Sequence, residues 1–240
     1  MGNSKAVSSN WDGEFDDARL ALALARTAAA KGGLVINYCA ATRLIHEGRK
    51  VVRLHVEDAE TGQAYDIKAQ AVINAWGVWV DQFRIADGQP IGREVKAMVA
   101  PSQGVHIVVD SSFLPGNQAM LTPKTADGRG LFAMRWLGKT TLGTPDTPHH
   151  GLAREPLAFK EDLNFILGES ARYLMKAPAR ADIKSSWVGL RPLVKPANED
   201  GDNIKGLSRE HTLLMSKSGL VTIMVTGANG QPIEPWLRMF

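Results

Sequence analysis

The sequence predicts a mixed α/β chain in two lobes, and three observations carry that expectation. Near the start, one Ala/Leu-rich helical pattern runs directly into an apolar strand pattern. Alternating polar and apolar segments separated by turn residues then read as a small antiparallel meander. Beyond residue 90 the pattern changes to short strands punctuated by Gly, Pro and Asp, with one long amphipathic helix among them. Helix–strand order in one half and a strand-rich second half define a mixed α/β class with two lobes.

Taken in order, residues 1–12 read as a tail. The opening MGNSKAVSSNWDG has one Lys and no apolar run, so it lacks the pattern of a secretory signal. The stretch EFDDARLALALARTAAAKGG is the clearest helix, because Ala, Leu and Arg are strong helix formers. Asp16 and Asp17 oppose the helix dipole in the first turn, and Lys31 with Gly32-Gly33 ends it. Leu20, Leu24 and Thr27-Ala28, widened by Leu22 and Ala25, predict a helix buried on a broad face. LVINYC follows as a strand. ATRLIHEG, KVVRLHVEDA and QAYDIKAQ form the meander, separated by Glu47-Gly48 and Glu60-Thr61-Gly62. AQAVINAWG is apolar without alternation and predicts a strand covered on both faces.

In the second half, EVKAMVAP, QGVHIVVD, QAMLTPK, GRGLFAMRW and KTTLGTPDT predict a largely antiparallel sheet. REPLAFKEDLNFILGESARYLMKAP predicts a long amphipathic helix stopped by Pro178. DIKSSWVGLRPLV and HTLLMSKSGLVTIMVTG are further strands around the polar loop KPANEDGDN. The expected organisation is a tail at 1–12, a first segment with the meander at 13–90, a second domain at 91–225 and a tail at 226–240.

Composition narrows the function classes. A hydrophobic share of 44% against 22% charged supports a real core. Net charge is +3 without a Lys/Arg block on one face, which argues for anionic small ligands and against nucleic acid. No apolar window is long enough for a transmembrane helix. Cys39 is the only cysteine, so a cysteine metal cluster is excluded; without a neighbouring His or Arg it reads as a small buried residue. A reducing compartment fits.

Three side chains stand in unusual company: His106 in GVHIVVD, Arg191 in WVGLRPLV and Arg209 in LSREHTLL. A buried guanidinium needs an acceptor, and two Arg with a His would form an anion site if they converged. Spacing leaves open that each points to water from an edge strand. His149-His150 and His211 lack the spacing of metal ligands, so no metal site is expected, and Asp146 reads as a turn residue. GxSxG, HExxH and P-loop patterns are absent, and no GxGxxG follows an early strand. VINAWGVWVD, residues 72–81, breaks a strand on a Gly between two Trp, as packing or a flat ligand would require.

Taken together and in order, GEFDDARLALALARTAAAKGG, VINAWGVWVD, SQGVHIVVD, TPDTP, WVGLRPL and LSREHTLL resemble the FAD-dependent glycerol-3-phosphate dehydrogenases. The resemblance runs from about Trp11 to Thr222. It implies a partial Rossmann-like FAD domain joined to an antiparallel substrate-binding sheet with one long helix. It implies oxidation of sn-glycerol 3-phosphate to dihydroxyacetone phosphate, with electrons passed to a quinone. By the same resemblance His106 is the catalytic imidazole, Arg191 and Arg209 bind the substrate phosphate, and Ala75, Trp76 and Gly77 lie beside FAD. A cytoplasmic enzyme touching the inner face of the membrane peripherally is implied too.

The sequence departs from that pattern in places. Trp76 stands where the family usually has Thr, and Arg135 where it usually has Pro. The Gly-rich opening turn, and the Gly-Gly-Lys segment that follows the last strand, are not matched. The resemblance is thus to an internal fragment, and the expectation is that the isolated chain binds no FAD and turns nothing over. Two alternatives stay open: a fragment of a related FAD-dependent amine or amino-acid oxidase, and a non-catalytic phosphate-binding module.

Overall fold

The computed structural model describes residues 16–122, 125, 128, 130–149, 151–195 and 212–224. For 144–146 it describes the strand and not the side chains. The chain divides into two compact units, Met1–Thr42 with His55–Asp66, and Arg43–Leu54 with Ile67–Phe240.

The first unit opens with helix α1, Asp17–Ala30. The Asp16 carboxylate caps it by accepting from the Arg19 N–H at 2.9 Å, and Gly32, at φ +89°, ends it in the left-handed region. No residue of α1 is buried, and Leu22 and Leu24 are 59% and 62% exposed. The broad buried face expected from the sequence is therefore corrected. Propensity, cap and dipole are local terms, and they build the helix without burying its stripe. The expected strand LVINYC is corrected likewise: residues 33–38 are in no strand, and Leu34 is 86% exposed. A strand exists only against a ladder partner, and Tyr38 at φ +55° breaks the extended run.

Strands β1 (Cys39–Glu47), β2 (Lys50–Asp58) and β3 (Ala64–Lys68) form the expected meander, in the order β1-β2-β3. Cys39 is half-buried, not the fully buried residue expected. Beyond β2, the Thr61 hydroxyl and then the Glu60 N–H bond Asp58 and hold its carboxyl below the ordinary range.

In the second unit, β4 is only Ile73–Asn74, where a longer strand was expected. A 3-10 turn at Gly77–Trp79 follows, then helix α2, Val80–Gly88, which the sequence reading missed. Gly77 at φ +57° turns the chain out of the strand, and the residues after it coil at once. EVKAMVAP and QGVHIVVD, expected as separate strands, merge into one strand β5, Val99–Asp110. Then come β6 (Met120–Thr122), β7 (Leu131–Trp136), β8 (Lys139–Pro148), helix α3 (Lys160–Tyr173) and β9 (Ser185–Val194). Strands β10 (Thr212–Met215) and β11 (Val221–Met224) are the last described elements of the unit. Asp146 lies inside β8, not in a turn. Helix α3 starts after the extended Phe159 and ends before Pro178, since Leu174 is already extended at ψ 148°.

Among the described residues, two sheets lie wholly in this unit. One has the order β6-β7-β8-β5-β9 and the other β10-β11-β4, with β11 parallel to β4. Val105, Ile107 and Val109 of β5 are fully buried, against Leu131 of β7, Leu142 of β8 and Ile166 of α3. Asp162, in the first turn of α3, fastens the helix to the sheet. It accepts from Gln103 Nε2 at 3.2 Å and from the Thr147 hydroxyl at 2.8 Å.

Polar rivets join the remaining elements. Asp81 of α2 accepts from the Met98 and Val99 N–H groups, each at 2.9 Å, and pairs with Arg84. Asp87 accepts from the Ser218 hydroxyl and bonds His46 Nε2 at 2.9 Å, so that α2, β1 and the β10–β11 turn meet at one buried carboxylate. At the end of β5, Asp110 accepts from the Ser112 N–H and faces Lys139, and these hold its carboxyl below the ordinary range.

Asp81→Ala leaves two backbone N–H groups without their acceptor and takes the carboxylate from the Arg84 guanidinium. We expect a loss of about 2–4 kcal/mol in urea unfolding, and a smaller loss for Asp81→Asn, which keeps an acceptor oxygen.

Candidate functional site

Strand β5 is paired on both sides, so its pleat sorts residues sharply between two faces. Odd-numbered Gln103 to Val109 face α3 and the core. Even-numbered residues face the other way, and His106 is among them. Its cross-strand neighbours are Gly143 on β8 and Trp187 on β9. Phe132 of β7 pairs with Gly143, and Leu121 of β6 with Phe132. One row therefore crosses all five strands: Leu121, Phe132, Gly143, His106, Trp187.

The imidazole is held from two sides. The Trp187 indole stacks on it, with ring centroids 5.1 Å apart and planes 12° apart. On the other side Gly143 leaves room for the ring. A Cβ there would stand 2.5 Å from His106 Cδ2 and 2.8 Å from the Val105 carbonyl oxygen. The β5–β8 register shifts between Gly104 and His106, beside this glycine. Phe132 and Trp187 remain 41% and 46% exposed, an open aromatic margin on either side of a half-buried imidazole.

Arg191 lies on the same face. The register continues from His106–Trp187 through Gly104–Gly189 to Ser102–Arg191. Four residues along a strand span about 13 Å. Between them, β5 and β9 present only Gly104 and Gly189, and a Cβ at Gly189 would meet nothing within 4 Å. An imidazole and a guanidinium thus flank a two-glycine floor. Arg191 is half-buried. Arg209 and His211 lie outside the described residues, so the fold brings together His106 and Arg191 of the three singled-out side chains. His149 tilts against Phe159 with centroids 5.5 Å apart, and among the described residues no cluster of His, Cys, Asp or Glu could hold a metal.

The turn at Ala75, Trp76 and Gly77 leaves β4 on the same unit, and its 3-10 continuation packs against β9. Trp76 stacks on Phe83 of α2, with centroids 4.8 Å apart and planes 14° apart, which turns the indole onto the helix. Gly77 has open space where a Cβ would stand. Beneath it, Asn74 donates from Nδ2 to the Val80 carbonyl at 2.8 Å, while its Oδ1 is buried without a hydrogen-bond partner. An exposed backbone turn above an unmatched acceptor fits a flat ligand that brings a donor, so these residues suit one wall of a flavin site. Arg135, where the sequence departs from the family pattern, donates to the Leu114 and Ser111 carbonyls at 2.9 and 3.3 Å and ties β7 to the chain after β5.

Sequence reasoning missed Trp187, Gly143 and Phe132. Cross-strand register was the missing quantity; the signal within reach was the glycine inside a strand pattern, which marks a close approach.

The pattern of the family described as FAD dependent oxidoreductase matches residues 3–230. The chain belongs to that family. Among curated relatives it is 40% identical over 216 residues to a probable mitochondrial glycerol-3-phosphate dehydrogenase of Caenorhabditis elegans, covering 89% of this chain and 29% of the relative. It is 36% identical over 234 residues to the mitochondrial glycerol-3-phosphate dehydrogenase of Schizosaccharomyces pombe, covering 92% of this chain and 36% of the relative. The crystal structure of the glycerol-3-phosphate dehydrogenase from Bacillus halodurans, complexed with FAD, superposes with a TM-score of 0.72 at 32% identity, covering 93% of this chain and 41% of that one. The mixed α/β fold expected from the sequence is the fold of this family. The chain spans about a third of the length of these curated relatives.

Gly143→Ala forces a methyl group into the imidazole and a backbone carbonyl. We expect it to displace the His106 ring, moving its Cδ2–H and Cε1–H NMR resonances, and to lower unfolding stability by about 1–3 kcal/mol. Gly189→Ala, where a Cβ meets open space, should leave both nearly unchanged.

Proposed function

We propose that this chain supplies the substrate side of an FAD-dependent oxidation of sn-glycerol 3-phosphate to dihydroxyacetone phosphate. The observation that supports it is the order along one sheet face: His106 with Trp187, then the two glycines, then Arg191. Arg191, joined by Arg209, binds the phosphate, since a guanidinium fork matches phosphate oxygens bidentately. The glycine floor lets the three-carbon body lie against the backbone. His106 then meets the C2 hydroxyl and takes its proton. Its Nδ1 is buried, which leaves Nε2 as the atom that receives it. Trp187 and Gly143 keep the ring from turning away.

Ala75, Trp76 and Gly77 would hold FAD along the turn, with the Asn74 Oδ1 accepting one of its donors. Held there, FAD would supply the acceptor for the hydride of C2. We place reoxidation at a membrane quinone, with the protein contacting the inner face of the membrane peripherally from the cytoplasmic side. Among the described residues, no helix is long and apolar enough to cross a membrane. The two curated relatives named above are mitochondrial by name.

Calorimetric titration of the purified chain with sn-glycerol 3-phosphate, with and without added FAD, tests this reading. With FAD present we expect binding that weakens at least tenfold in Arg191→Ala and severalfold in Arg191→Lys, which keeps the charge and loses the fork. Equal affinity for glycine, an amino-acid carboxylate without phosphate, would contradict it. So would binding that ignores Arg191.

A further inference from the structure

A groove of about 760 Å³ opens in the second unit, and none of His106, Arg191 or the 75–77 turn lines it. One wall is the segment between α2 and β5; the other is the β10–β11 hairpin with Lys195 at the end of β9. The volume lies within the ordinary range for small-molecule sites.

The groove is built rather than incidental. Gly88 lies so close to the returning chain that a Cβ would stand 2.5 Å from the Arg93 carbonyl oxygen and 2.6 Å from Val95 Cγ2. The Arg93 N–H donates to the Gly88 carbonyl at 3.0 Å, and the Lys195 N–H donates to the Met98 carbonyl at 2.8 Å. Arg84 is fixed by Asp81 and by the Lys96 carbonyl. On the opposite side, the buried Asp87 carboxylate holds the hairpin through Ser218 and reaches His46 behind it. Both walls are therefore pinned before any ligand arrives.

Its lining has two chemistries. Ile91, Val95, Leu214, Met215 and Leu220 give it apolar surface. Arg84, Arg93, Lys96 and Lys195 outnumber Asp87 and Glu94, and the Asp87 carboxylate is already engaged. Among the described residues, Arg93, Lys96 and Lys195 make no ion pair, so three cations face a partly apolar groove in which Glu94 is the one carboxylate not already engaged. An anion beside them gains Coulomb energy that a neutral molecule does not.

We infer that this groove binds a small organic acid with an apolar body, its carboxylate or phosphate among Arg93, Lys96 and Lys195 and its body against the Leu214–Leu220 wall. The assignment is independent of the proposed oxidation, because among the described residues the groove shares none with that site.

Titration calorimetry of the full chain with 2-naphthoate, 2-naphthyl phosphate and 2-naphthol at pH 7 tests it. One equivalent of either acid should bind at least tenfold tighter than the neutral naphthol. Raising the salt should narrow that gap, since exposed charges are screened. Arg93→Ala/Lys195→Ala should lose tenfold in affinity for the acids and leave naphthol unchanged; Lys96→Glu, a charge reversal at an exposed position, should do the same. If naphthol matches the acids, if neither variant shifts the acids, or if nothing binds at millimolar concentration, the assignment is wrong. Loss of glycerol 3-phosphate binding in Arg191→Ala leaves this result untouched, so the two readings fail separately.

Discussion

Strand β5 is hydrogen-bonded to β8 on one side and β9 on the other, and most of the second unit follows from that double pairing. Ladders on both edges leave the strand no freedom to twist a side chain from one face to the other. Val105, Ile107 and Val109 must therefore go into the core together, against Leu142 and Ile166. Burying three β-branched side chains contributes several kcal/mol, about 1.5–3 for each. His106 lies between two of them in sequence and is carried to the opposite face by the same alternation. The position of the candidate site is thus fixed by the core, at no separate energetic cost.

The polar contacts have a complementary task. They fasten the elements that the hydrophobic core does not reach. Asp162 holds α3 on the sheet, Asp81 ties α2 to the start of β5, and Asp87 gathers α2, β1 and the β10–β11 turn. Each is a buried or nearly buried carboxylate with several donors, the arrangement in which such a group stabilises rather than penalises. Two of the three also shape ligand-sized space. Asp81 steadies Arg84, and Asp87 holds a wall of the groove.

How much of this was legible in the sequence depends on the range of the forces involved. Helix α1 was readable because its cap, composition and terminal glycine are local. Its burial was not, since burial depends on what lies against it. The meander was readable from alternation and turn residues. The merging of two strand patterns into β5 was not, because Pro101 at a strand position suggested a break. His106 and Arg191 could be singled out as polar groups in apolar strands, whereas their separation across Gly104 and Gly189 required the β5–β9 register. Trp187 and Gly143 became significant only through cross-strand pairing. Arg135 looked like a departure from the family pattern, and it proves to be a tie between β7 and two backbone carbonyls.

The candidate site depends above all on β5 presenting His106 to the face opposite α3, between Trp187 and Gly143. Nuclear Overhauser contacts from the His106 ring protons test this most directly. We predict strong contacts from Hδ2 to the Gly143 Hα protons and from the ring to the Trp187 indole, with none to the Ile166 methyl groups. Contacts from the His106 ring to Ile166 would mean a one-residue slip of the strand, and would contradict the face assignment on which the site depends.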